Sequence, residues 1–161
     1  KKEIWRNPVI GWCADRLGAL PVYRGAPDRW MLKTATELLK AGEHIAIFPE
    51  GTRVRSAQAE EQRSGHGGAA FLSMLTGAAV VPVGIAGSEK IDPGDGKLFG
   101  LPRVVYRFGQ PIYPVDFTGT NKERTAAMTD AIMAGIVAQR RAAQPVSDGT
   151  VSVREARNEC A

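Results

Sequence analysis

The chain has 161 residues, 43% of them hydrophobic and 24% charged, a globular composition that excludes collagen-like, mucin-like and wholly disordered readings. Twenty-one Lys and Arg against 17 Asp and Glu leave a net charge of +4, which favours anionic partners without singling out nucleic acid. The two cysteines, Cys13 and Cys160, are far apart with no CxxC and no His nearby in sequence, so neither a disulfide framework nor a zinc site is indicated.

Asn7 and Pro8 are a cap residue and a first-turn proline, and Ile10, Cys13, Ala14 and Leu17 then recur at helical spacing up to Gly18, which predicts a short helix with Cys13 as a small core residue. Ala19–Tyr23 is a compact apolar run between glycines and reads as a buried strand. Pro27 and Asp28 open a second helix, whose Met31, Ala35, Leu38 and Leu39 share a face and which closes at Gly42. His44–Phe48 follows as another apolar strand, and a helix between two such strands is the pattern of a parallel crossover. After a polar loop over 54–68, a helix is predicted over Ala69–Thr76, a strand over Val80–Ile85 and another over Arg103–Phe108. The prolines at 111 and 114 keep Gln110–Pro114 extended.

Thr120 and Glu123 form a capping box ahead of a stripe running from Ala126 and Met128 to Ile136 and Val137, predicted to end at Arg140 and Arg141. Its methionines read as core. Residues 1–144 are thus expected to form one α/β domain, a mostly parallel sheet flanked by helices in three layers, with Pro145–Ala161 a mobile tail. No run reaches the roughly 18 unbroken apolar residues of a membrane span.

In a parallel sheet, ligands bind beyond the carboxyl ends of the strands. There the sequence places Tyr23-Arg24-Gly25 and Pro49-Glu50-Gly51-Thr52-Arg53. Arginine offers a planar fork of donors to phosphate, Gly51 lets backbone approach a ligand, and Thr52 adds a hydroxyl. With each charge-assisted bond worth about 1.5 to 3 kcal/mol, two arginines and a few N–H groups could supply about 8 kcal/mol, micromolar binding. Glu50 is a poor phosphate partner and fits better as an aligner of an arginine or an acceptor from a ligand hydroxyl. From spacing alone, Glu50 and Arg53 fit a solvated ion pair on a turn equally well.

The run Phe48-Pro49-Glu50-Gly51-Thr52-Arg53 resembles the FPEGTR signature of the glycerophospholipid acyltransferases, in particular their bacterial 1-acylglycerol-3-phosphate branch. Lys1-Lys2-Glu3, Gly18–Arg24 and Val80–Val83 resemble further blocks of that family in the same order, so the resemblance covers residues 1–115. It implies acceptor-phosphate contacts at Arg24, Gly51, Thr52 and Arg53, with Glu50 a functional acid beside them. Tyr23 and His66 depart from the acidic residue and the lysine common at those positions, which loosens what the resemblance says about the acceptor.

The resemblance further implies acyl transfer from acyl-CoA or acyl carrier protein to lysophosphatidic acid, giving phosphatidic acid. It implies neither metal nor cofactor, and a peripheral membrane site on the cytoplasmic face of the plasma membrane. The family's base is a His steered by an Asp in an HX4D motif. His44 is followed five residues on by Pro49, and His66 by Phe71, so neither completes such a pair. The catalytic pair is expected upstream of Lys1, leaving this chain a truncated, inactive form. The alternative is a non-catalytic module that keeps only the phospholipid-phosphate pocket. A nucleotide-binding domain is disfavoured, because no GxGxxG or GxxxxGK[ST] follows a strand.

Overall fold

The computed structural model describes residues 7–20, 29–50, 66–88 and 102–152. It divides into two compact units, Lys1–Ala46 and Ile47–Ala161.

The first unit holds two helices. In α1, Pro8–Arg16, the Asn7 carboxamide oxygen accepts from the N–H groups of Val9 and Ile10 at 3.0 and 3.3 Å, so the first turn is capped as its sequence predicts. The residues it buries are the small ones, Gly11 and Ala14. Cys13 is exposed, which corrects its reading as a core residue: it lies on the side of the helix away from Gly11 and Ala14. Helix α2, Arg29–Lys40, buries Ala35 and half-buries Met31, Leu38 and Leu39. It closes where Glu43 N–H donates to Leu38 carbonyl at 3.0 Å, a wrap that requires the positive φ of +85° held by Gly42.

The second unit is organised by one long helix. Among the described residues four shorter elements precede it: helix α3, Gly68–Thr76, strands β1, Val83–Ala86, and β2, Val105–Phe108, and a 3-10 turn, Pro114–Asp116. The long helix α4, Asn121–Asp148, starts on the predicted capping box. Glu123 N–H donates to Thr120 Oγ1 at 3.4 Å, while Thr120 N–H donates to Glu123 Oε2 at 2.9 Å. The N–H and hydroxyl of Thr120 hold the Glu123 carboxyl below its ordinary value of 4.5. Half-buried Arg124 ties the same end to the preceding turn, donating to the carbonyls of Phe117 and Pro114 at 2.9 and 3.3 Å.

The core forms where α3 meets α4, around Ala69, Ala70, Met128 and Ile132, with Met74, Val80, Ile112, Phe117 and Ile136 packed on them. Met128 is 0% exposed, in keeping with a methionine that fills core. Strands β1 and β2 pair antiparallel, Val83 opposite Phe108 and Ala86 opposite Val105. The pairing continues outward through Gly109 N–H to Pro82 carbonyl and the mutual bonds of Val80 and Ile112.

Two expectations are corrected here. The sequence predicts mostly parallel strands, whereas the sheet of the described residues is an antiparallel pair. A parallel neighbour needs a crossover, commonly a helix, and the sequence between β1 and β2 carries no helical pattern. Segment 44–48 forms no ladder among the described residues, and Phe48 is 75% exposed; much of its expected partner, Ala19–Tyr23, lies outside those residues. Helix α4 also runs beyond Arg141, through Pro145 to Asp148, with Ala143, Val146 and Ser147 buried. That burial outweighs the hydrogen bond Pro145 cannot donate. Residues 153–161 of the expected tail lie outside the described residues.

Gly84 marks how closely α4 approaches the sheet. A Cβ there would sit 2.1 Å from Arg140 N and 2.3 Å from Gln139 C, so only displacement of the helix backbone could admit it. Gly84→Ala is expected to cost about 3 kcal/mol, read as a fall in the urea midpoint with an unchanged slope. The lowered Glu123 carboxyl has its own consequence. A depressed acid stabilises the fold above its unfolded value, and that contribution is lost as pH falls through the folded one. Thermal stability should therefore decline below pH about 4.5 less steeply in Glu123→Gln than in the parent.

Candidate functional site

The FPEGTR run leaves the 44–48 segment at Pro49, which is buried, and Glu50, which is half-buried on a turn. The Pro49 carbonyl accepts the backbone N–H of His66 at 3.0 Å. One main-chain bond therefore joins Pro49 to the residue just ahead of the next described helix. Gly51, Thr52, Arg53 and Arg24 lie outside the described residues. Of the predicted site residues, Glu50 alone is among the described ones.

His66 stands immediately before the cap of α3. Gly67 caps this helix without a side chain, and no acidic residue stands in its first turn, so its first N–H groups present the positive end of the helix dipole beside the Pro49–His66 bond. Next to it a groove of about 540 Å³ runs between α3 and the first turns of α4, lined among others by Gly67, Phe71, Lys122, Thr125, Thr129 and Asp130. A Cβ at Gly67 would meet Thr129 Oγ1 at 3.5 Å and Thr125 Cγ2 at 3.6 Å, ordinary van der Waals contacts that the groove accommodates.

Neither histidine stands in a His–Asp pair of the HX4D kind. His66 is exposed, and the residue five positions on is Phe71, half exposed on α3. His44 is exposed, and five residues on is Pro49. What the sequence reading missed is that His66 contributes through its backbone. The Gly65, Gly67 and Gly68 around it and the helix behind it were the available signal. No described helix is long and apolar enough to cross a membrane.

The sequence comparisons say to which class of protein these residues belong. Residues 1–86, more than half of the chain, match the Acyltransferase family, and the chain belongs to it. It is 37% identical over 134 residues to a 1-acyl-sn-glycerol-3-phosphate acyltransferase of Bacillus subtilis, an alignment covering 82% of this chain and 62% of that protein. A chloroplastic 1-acyl-sn-glycerol-3-phosphate acyltransferase of Arabidopsis thaliana is 37% identical over 95 residues, 58% of this chain and 26% of its own. A lyso-ornithine lipid O-acyltransferase of Pseudomonas aeruginosa is 36% identical over 87 residues, 53% and 33% of the two chains. The chain thus spans about six tenths of the Bacillus relative and less of the other two. No solved structure matches it.

The backbone role of His66 separates two substitutions. His66→Ala keeps the N–H that bonds the Pro49 carbonyl and should leave the urea midpoint nearly unchanged. His66→Pro removes the donor from that carbonyl, an unsatisfied group costing about 1–3 kcal/mol, and should lower the urea midpoint accordingly.

Proposed function

We propose that the protein acts in phospholipid synthesis, passing an acyl group from acyl-CoA or acyl carrier protein to 1-acylglycerol-3-phosphate to give phosphatidic acid. The observation that carries this reading is the FPEGTR run inside the region matched to the family. Its support is the naming of the Bacillus and Arabidopsis relatives for that acceptor. On this reading Arg24, Gly51, Thr52 and Arg53 hold the acceptor phosphate, the two guanidinium groups in bidentate fashion. Glu50, beside them, aligns an arginine or accepts a bond from a hydroxyl of the acceptor. The acyl donor is a substrate, and the reaction needs no further cofactor. The working place is the cytoplasmic face of the plasma membrane, where a lipid acceptor and a soluble donor meet.

The transfer requires a base, because an alcohol is a weak nucleophile near neutral pH, and a positioned base contributes about 10²- to 10⁴-fold. Within the 161 residues no His is followed by Asp at the fifth position. The second reading is a module that binds the lipid phosphate without turning it over.

The two readings part in one experiment on the 161-residue chain and on a longer gene product containing an HX4D sequence. The first predicts acyl transfer from the longer form alone. Turnover by the shorter form overturns the assignment of the base to HX4D, and no turnover by either favours the binding module. In the active form, Arg53→Ala should raise the KM for lysophosphatidate at least about tenfold, one charge-assisted contact, and leave the KM for the acyl thioester within about twofold. Equal losses for both substrates would make Arg53 structural.

A further inference from the structure

Helix α1 presents its large apolar residues to the outside. Successive residues turn by about 100°, so Gly11 and Ala14, the two it buries, lie on one side. Val9, Trp12, Cys13 and Arg16 follow the i, i+3, i+4, i+7 rule on the opposite side, continued by Leu17 just past the last turn. Val9 is 69%, Trp12 62% and Leu17 85% exposed. This reverses the usual amphipathic arrangement, in which the large apolar residues face the core.

We propose that this stripe is a docking surface for an anionic lipid bilayer, on which α1 lies flat. The surface follows from α1 alone; the choice of a lipid as its occupant rests on the lipid acceptor of the proposed function. Three observations select it. The stripe carries a cation and no acid: the Arg16 guanidinium stands 5.4 Å from the centre of the Trp12 ring, and Asp15, the acid of this helix, falls on another side. Indole beside a cation on an apolar face is the chemistry of the headgroup region, where the ring is half wet and the charge meets lipid phosphate. The chain's net charge of +4 adds long-range attraction to such a surface.

Length and area agree. A helix of nine residues is about 13 Å long, too short to span a bilayer and sufficient to lie in its interface. Four exposed side chains offer a few hundred Å², well under the roughly 800 Å² per partner of a stable dimer, so a second copy is the poorer occupant.

The test is co-sedimentation of the 161-residue chain with vesicles of mixed phosphatidylglycerol and phosphatidylcholine, free of lysophospholipid and acyl donor. The parent chain should pellet with them. A triple variant, Val9→Ser, Trp12→Ser and Leu17→Ser, should lower its partition coefficient at least about tenfold with unchanged helicity by circular dichroism. Arg16→Glu should weaken binding to these vesicles and leave binding to pure phosphatidylcholine unaltered. Undiminished pelleting of the folded triple variant overturns the proposal, as does a parent chain that ignores vesicles or that forms dimers which the triple variant abolishes. Binding of lysophosphatidate in detergent micelles keeps the two readings apart. If it persists in a chain that ignores vesicles, the docking surface fails alone; if vesicles are bound and the acceptor is not, the proposed function fails.

Discussion

The second unit depends on one close contact, the seating of α4 on the sheet. Gly84 brings the β1 backbone against the helix backbone at Gln139 and Arg140, and Gly135 on the helix accommodates the ring of Pro82, which a Cβ would approach to 2.7 Å. A missing side chain on each surface lets the two meet at main-chain distance, where dispersion is greatest. The remaining positions follow from this one. The apolar stripe of α4 then reaches α3 on one side, and the turn that Arg124 grips sets where the helix begins.

Local chemistry in the sequence was sufficient for the elements whose ends are fixed by their own residues. Asn7, the Thr120–Glu123 box and the glycines at 42 and 77 stand at helix ends as their hydrogen-bonding and φ preferences require. Three features were not legible. The direction of strand pairing depends on which neighbour a strand meets, and an apolar run such as Val80–Ile85 looks alike in parallel and antiparallel surroundings. The extension of α4 through Pro145 depends on the burial of Val146 and Ser147, a tertiary effect that overrides a local breaker. The inverted face of α1 was hidden because period alone gives the angle between residues and leaves open which side the protein covers, as Cys13 shows.

The candidate site divides in the same way. The family was legible in the six consecutive residues Phe48–Arg53, which fall inside the matched region. The bond between Pro49 carbonyl and His66 N–H was not, because it joins two backbone groups, and side-chain type says little about such a pair.

The bond between Pro49 and His66 also has a consequence for tolerance to change. Because it pairs a main-chain carbonyl with a main-chain N–H, any residue except proline at position 66 can supply the donor, so the anchor ahead of α3 places almost no demand on the side chain that stands there.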